Sequence, residues 1–88
     1  MKYTLHTDPG HGWLEVEKAE LVKLGIADKI SGYSYMKGDT AYLEEDCDAF
    51  LFAEVRNAAG DPIDWVTVYA DPTPIRGYKS YSVLKAAA

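Results

Sequence analysis

The stretch DCDAFLFAEVRNAA at residues 46–59 is the clearest structural signal in the chain. Acidic side chains crowd its start and Gly60 follows its end, which suits a helix because carboxylates favour the amino end and glycine favours the left-handed residue after the last turn. Apolar side chains recur along it at helical spacing: Cys47, Leu51, Val55 and Ala58, flanked by Phe52 and Ala59. The sequence therefore predicts one principal helix over residues 46–59 that packs on a sheet.

On both sides of this helix the chain shows patterns typical of strands and turns. Predicted strands cover residues 2–6, 13–17, 33–37, 40–44, 63–69 and 78–83, and a short helix covers 18–24. Residues 8–12 and the pair Gly38-Asp39 have the composition of tight turns, so they predict two hairpins. We predict an α+β fold with the order ββαββαββ, in which a small antiparallel sheet carries the principal helix on one face.

Length and composition limit the class of protein. A chain of 88 residues can build one hydrophobic core, so we expect a single domain over residues 1–85 and a disordered tail at 86–88. Cys47 is the single cysteine, which excludes an intramolecular disulfide and a cysteine-rich zinc cluster. The start lacks the apolar run of a signal peptide, and no run approaches the ~20 apolar residues that span a bilayer. We therefore expect a cytoplasmic protein with no membrane role.

The charge of the chain is acidic and unevenly distributed. Formal net charge is −5, and residues 39–64 hold eight acidic side chains against Arg56 alone. Such a region repels phosphate backbones, so direct nucleic-acid binding is disfavoured and a basic protein surface is the expected partner. A DNA-associated accessory role through Arg76 and Lys79 stays as an alternative. An exposed edge strand could also support a homodimer.

Four acidic residues at the start of the principal helix have two interpretations. Glu44, Glu45, Asp46 and Asp48 are explained first as helix-start charges, because anionic side chains there offset the helix dipole. The second interpretation is an acidic patch that binds a basic partner surface, whose association would weaken as salt rises.

The seven tyrosines are the second candidate for a binding surface. Tyr33 and Tyr35 share one face of a predicted strand, and Tyr42, Tyr78 and Tyr81 could extend an aromatic surface if their strands are neighbours. Tyrosine offers a large contact area at a small entropic cost, so an exposed cluster would suit partner binding. The alternative is that this face belongs to the core.

Chemistry has little support in the sequence. His6, Asp8 and His11 lie within six residues and could supply nitrogen and oxygen ligands to a metal, as a small metal-binding protein or enzyme would need, but a fourth ligand is not obvious. The alternative is a turn with one surface histidine and one strand-end histidine.

Cys47 is expected to be a buried packing residue. Motifs for phosphate binding, for serine hydrolases and for zinc proteases are not present, so we expect neither catalysis nor a cofactor.

Four strings carry a resemblance to a protein family. HTDPGHGWLEV at 6–16, GIADKISGYSY at 25–35, GDTAYLEEDCDA at 38–49 and TPIRGY at 73–78 resemble short uncharacterised proteins of bacterial plasmids, phages and related mobile elements. The resemblance spans most of the chain and implies no catalytic residues. Small acidic proteins of mobile elements are similar in role, because many bind and block host machinery. By that analogy the resemblance implies a non-catalytic protein-binding module that inhibits a host-defence complex, as anti-CRISPR and anti-restriction proteins do.

Overall fold

A computed structural model of the chain describes residues 2–82. Its strands are β1 (Lys2–Thr7), β2 (Gly12–Glu17), β3 (Tyr35–Lys37), β4 (Thr40–Glu44), β5 (Asp64–Tyr69) and β6 (Lys79–Ser80). Its helices are α1 (Lys18–Lys23) and α2 (Asp48–Ala58), with 3-10 turns at Ala27–Lys29 and Pro74–Gly77. The predicted tail at 86–88 and the end of the predicted last strand, at residue 83, lie outside the described residues.

The strands form one six-stranded sheet in the order β5-β1-β2-β4-β3-β6. The prediction of an α+β fold is confirmed, and so is the order ββαββαββ along the chain. The sheet is mixed, however, because β5 runs parallel to β1 while the other neighbours are antiparallel. The reason is α2, which carries the chain back from β4 so that β5 enters beside β1 in the same direction.

The core lies between the helices and one face of the sheet. Cross-strand register puts Leu14 opposite Leu43 and Val16 opposite Ala41, so these alternate residues face the same way. Phe52 from α2 is fully buried against them, and its ring meets Tyr3 edge-on with centroids 5.3 Å apart. The hydrophobic alternation of the strands thus determines which face the helices cover.

The principal helix differs from its prediction at the amino end. It begins at Asp48 and is preceded by Cys47, which makes no side-chain capping bond. Cys47 is exposed, so the prediction of a buried cysteine is wrong, and the charge of Asp48 raises the pKa of its thiol. The apolar stripe is centred on Phe52, while Leu51 and Val55 are half-buried.

Two predicted turns are present with the expected backbone geometry. Gly38 has φ of 58° and Asp39 does not have positive φ, as in a type II′ hairpin between β3 and β4. At the first hairpin, the Asp8 amide donates to the His11 carbonyl at 3.0 Å, and the Asp8 side chain accepts from the amides of Gly10 and His11. The local sequence is sufficient to specify both reversals.

A polar chain of contacts joins β1 to both helices. The Tyr3 hydroxyl donates to Glu20 at 2.7 Å, and Arg56 pairs with Glu20 at 3.1 Å and also with Asp61. Burial, together with the hydrogen bond to Glu20, raises the pKa of Tyr3 to about 12. These contacts serve the packing of α1 and α2.

The second face of the sheet carries no α-helix from the described part of the chain, and we call it the helix-free face. The connection from β5 to β6 joins opposite edges of the sheet and runs over this face, since Arg76 lies on the ring of Trp13 and Tyr78 packs on Tyr42. No helix within residues 2–82 has the length and apolar character needed to cross a membrane.

Candidate partner-binding surface

Trp13 is the centre of an aromatic cleft on the helix-free face. Trp13 belongs to β2 and is only 2% exposed. Glu15 and Glu17 lie on the same face of the strand, and both are accessible to solvent. The rings of Tyr35 and His11 each lie with centroids 6.0 Å from it. The aromatic cleft is a depression of about 190 Å³ lined by His11, Trp13, Tyr33, Tyr35, Glu44 and Arg76.

Arg76 covers the cleft centre and is fixed by the first hairpin. Its guanidinium carbon lies 5.1 Å from the Trp13 ring centroid, a cation–π geometry. Two of its nitrogens donate to the Asp8 carboxylate, and this pairing holds the pKa of Asp8 well below its usual range. Asp8 also accepts hydrogen bonds from two backbone amides of its own turn. The hairpin therefore fixes the carboxylate that binds Arg76, and the Pro74–Gly77 turn fixes the backbone of Arg76.

Trp13 also carries an unsatisfied donor. Its Nε1 is buried and has no hydrogen-bond acceptor among the described residues. A buried donor without a partner is uncommon and costs free energy. The Nε of Arg56 is in the same state among the described residues, so the indole N–H adds a local cost at the cleft wall and does not by itself mark a binding site.

Tyr33 projects from the loop before β3 and is 77% exposed. The loop is held from beneath by Asp48, whose carboxylate accepts from the Ser31 amide at 3.1 Å, the Ser31 hydroxyl at 2.6 Å and the Ser34 hydroxyl at 2.5 Å. Asp48 itself is 2% exposed. The prediction that it belongs to an accessible acidic patch is therefore wrong. Asp48 does lie in the first turn of α2, as a helix-start charge would, and its carboxylate positions the loop that presents Tyr33.

The other three acidic residues of the predicted patch separate onto different sides. Glu44 lines the aromatic cleft and accepts from the Asp46 amide at 2.8 Å, and Asp46 is exposed just beyond it. Glu45 instead lies on the helix side, where it lines a groove beside Phe50 and Trp65. In the described part of the chain none of the three forms a salt bridge, so Glu44 leaves one wall of the cleft negative, and the exposed Asp46 adjoins it.

A second aromatic group continues the helix-free face next to the cleft. His6 Nε2 donates to the Glu15 carboxylate at 2.7 Å, and the His6 ring centroid lies 5.8 Å from that of Tyr42. Tyr42 packs on Tyr78 at 5.2 Å, and the Lys37 ammonium lies 4.9 Å above Tyr78. The predicted extension through Tyr42 and Tyr78 is therefore present in the structure.

Tyr81 does not belong to this surface. It is buried in the core, and its hydroxyl donates to the Ala27 carbonyl at 2.7 Å. Its register places it on the helix side, since the neighbouring pair matches Met36 with Lys79 and alternate residues share a face. The predicted aromatic surface is smaller by this one residue.

The structure does not bring His6, Asp8 and His11 together. His6 bonds Glu15, Asp8 bonds Arg76, and His11 packs on Trp13. Over residues 2–82 no group of three or more histidine, cysteine or acidic side chains is placed to hold a metal ion. The hairpin thus builds one wall of the aromatic cleft.

The basic pair suggested for DNA is also divided. Arg76 lies on the helix-free face and is paired with Asp8, while register places Lys79 on the helix side opposite Met36. The two side chains therefore do not form one basic patch.

Sequence reasoning did not name Trp13 as a site residue, and it considered Arg76 only as a DNA contact; both lie at the cleft centre. One signal for Trp13 was available, because strict alternation in residues 13–17 places it with Glu15 and Glu17 on the polar face of β2. A tryptophan on the polar face can be buried only if another part of the chain lies over it. That part, Arg76 held by Asp8, could not be predicted from local sequence, since the two residues are 68 positions apart in the chain.

Comparisons of the chain with protein-family models, with curated proteins and with solved structures find no match.

Proposed function

We propose that the chain is a non-catalytic protein-binding module of a mobile genetic element that blocks a bacterial host-defence complex, and that the aromatic cleft is its binding surface. The observation that carries the proposal is the cleft itself: a Trp13 indole packed by aromatic rings and Arg76, an exposed Tyr33 on a loop that the buried Asp48 carboxylate anchors, and a negative wall from Glu44. Rigid aromatic anchors of this kind are typical of binding hot spots.

The cleft fits a partner of particular chemistry. Glu44 makes one wall of the cleft negative, the exposed Asp46 adjoins it, and the chain as a whole carries −5. Tyr33 and Tyr35 offer ring faces on which a guanidinium or an aliphatic side chain can pack. We propose a protein surface in which an arginine or lysine lies beside an apolar side chain. Nucleic-acid-binding complexes expose such basic surfaces, and an acidic protein bound there would compete with their substrate.

The test is inhibition of purified complexes. Purified CRISPR effectors and restriction enzymes are assayed for DNA cleavage with increasing amounts of the protein, and binding is measured by interferometry at low salt. We expect one complex to be inhibited and bound. Tyr33→Ala should weaken that binding by about 30-fold, because truncating a hot-spot aromatic costs about 2 kcal/mol. Asp46→Lys should weaken it as well, mainly through a slower association rate.

Two controls separate the cleft from general charge and folding effects. Glu54→Lys changes the formal charge by the same amount as Asp46→Lys, but Glu54 is an exposed residue of α2, on the opposite side of the sheet. Val22→Ala removes an exposed apolar side chain on α1, as Tyr33→Ala does on the loop. Both controls should bind as the unaltered protein does. Binding that is indifferent to Tyr33→Ala and Asp46→Lys would exclude the cleft, and a lack of binding and inhibition throughout the panel would contradict the proposed function.

A further inference from the structure

Strand β5 is an edge of the sheet that is exposed on both faces. All six of its residues are solvent-accessible, including Trp65 at 48% and Tyr69 at 62%. Among residues 2–82 it pairs with β1 alone, and no other strand of this part of the chain covers the backbone groups on its second side. Edge strands of soluble proteins are usually short, charged or interrupted by proline, because a long apolar edge pairs with other chains. The sequence of β5 has none of these protections between residues 65 and 69.

The backbone of β5 is oriented to accept another strand. The Ala70 amide donates to the Thr7 carbonyl of β1 at 2.9 Å. Because amide direction alternates along a strand, the groups of Val68 and Val66 also point toward β1. The amides and carbonyls of Trp65, Thr67 and Tyr69 therefore point outward, and they are the groups that a new neighbour would engage.

The order of side chains in β5 is its own mirror image. Residues 65–69 read aromatic, valine, threonine, valine, aromatic in either direction. A two-fold interface requires this property, since each contact of residue i with residue j must be repeated as j with i. A strand recognised by an unrelated partner has no such requirement.

We propose that a second copy of this chain pairs with β5, antiparallel and centred on Thr67, to form a dimer with one continuous twelve-stranded sheet. In this register Thr67 lies opposite Thr67 of the second copy, Val66 opposite Val68, and Trp65 opposite Tyr69. The three outward-facing residues then form hydrogen-bonded pairs, with two bonds in each pair. Aromatic and β-branched pairs across antiparallel strands are stabilising.

The same register avoids a charge conflict and extends an existing apolar surface. Asp64 is the single charged residue of β5, and it falls opposite Ala70 rather than opposite another acid. On the helix side, Trp65 borders a groove of about 260 Å³ whose lining includes Leu5, Ile63 and Phe50. Tyr69 of the second copy would stand on this side next to Trp65, so the interface continues the groove.

The experiment is sedimentation velocity of the full chain at about 1 to 200 µM, the range in which modest edge-strand interfaces associate. We expect the mass to rise with concentration from 9.7 kDa toward twice that value. Thr67→Lys should reduce self-association by at least about tenfold, because two ammonium groups then face each other across the axis. Thr67→Glu should have the same effect. A mass of one chain at every concentration of the unaltered protein would overturn the proposal.

Mixing the two variants tests the register. Since residue 67 lies opposite itself, an equimolar mixture of Thr67→Lys and Thr67→Glu should recover dimer as a charge-paired heterodimer. Thr67 is exposed, so both variants should fold, which circular dichroism and melting verify. If the unaltered chain dimerises while the mixture stays monomeric, the Thr67-centred pairing is wrong. Val22→Lys on α1 is the matched control, and it should dimerise as the unaltered chain does.

Discussion

Asp48 stands at the amino end of α2, yet its carboxylate binds the loop before β3 rather than helix amides. It accepts from both the amide and the hydroxyl of Ser31 and from the hydroxyl of Ser34, and Ser34 in turn accepts from the Glu44 amide at 2.9 Å. A buried carboxylate is tolerated only when it is bonded in this way, because desolvation of an unpaired charge is costly. One residue therefore joins the helix, the Tyr33 loop and the end of β4.

Removing this carboxylate should destabilise the protein. We expect Asp48→Ala to lower the free energy of unfolding by about 1.5–3 kcal/mol, because it leaves the donors of Ser31 and Ser34 buried without an acceptor. Urea unfolding followed by circular dichroism measures the change. Asp46→Ala, an exposed acid two residues earlier, should stay within about 0.5 kcal/mol. Equal effects of the two substitutions would show that Asp48 is not the structural anchor of the loop.

Helix α2 contains two phenylalanines with opposite roles. Phe52 is fully buried against the sheet and against the ring of Tyr3, whereas Phe50 is exposed at the groove beside β5. Their spacing of two residues places them on different sides of the helix, since one turn takes 3.6 residues. Phe52 is therefore the helix's contribution to the core, and Phe50 is its contribution to the exposed surface.

The two phenylalanines make a matched test of the helix. We expect Phe52→Ala to cost about 3–5 kcal/mol of unfolding free energy, because it opens a cavity in the only core that so small a chain can build. Phe50→Ala should change the monomer's stability by less than about 0.5 kcal/mol. Thermal and urea unfolding at about 1 µM, where self-association is weakest, give both values. A larger loss for Phe50→Ala would contradict the assigned orientation of α2.

The elements of this chain could be predicted from local patterns, and their assembly could not. The alternation of apolar and polar residues predicted which side chains of β2 and β5 share a face, and the Gly38-Asp39 pair predicted the turn between β3 and β4. Both signals lie within a few residues of each other in the chain. The parallel pairing of β1 with β5 and the Asp8–Arg76 contact connect segments more than 60 residues apart. The same holds for the site. Tyr33, Tyr35 and Glu44 were predicted as binding residues from their residue type, whereas the role of Trp13 and of Arg76 above it depends on tertiary contacts.

At the scale of the whole molecule, the two proposed interfaces use different parts of the sheet. The aromatic cleft lies on the helix-free face near β2, β3 and β4, and the dimer edge is β5. Since β1 separates β5 from β2, partner binding and dimerisation need not exclude each other. A dimer would present two clefts, and two linked sites can bind a repetitive partner more tightly than either alone.

The two interfaces should respond to salt in opposite directions. Raising ionic strength from about 0.1 M to 1 M shortens the Debye length from about 10 Å to about 3 Å, so it weakens the attraction between the negative cleft wall and a basic partner. Dimerisation instead brings together two chains of formal charge −5 through an interface whose paired residues 65–69 are uncharged. Screening removes that repulsion, so the dimer should become tighter. Sedimentation velocity and interferometry across this salt range measure the two affinities.

A charge variant isolates the cause of the dimer's salt dependence. Asp28→Lys with Glu54→Lys raises the formal net charge from −5 to −1 at exposed positions away from β5 and the aromatic cleft. If repulsion between whole molecules opposes self-association, this variant should dimerise more tightly at low salt and show a flatter salt dependence. A dimer that weakens with salt would require an ion pair at the interface, which the Thr67-centred register does not contain, and would therefore contradict that register.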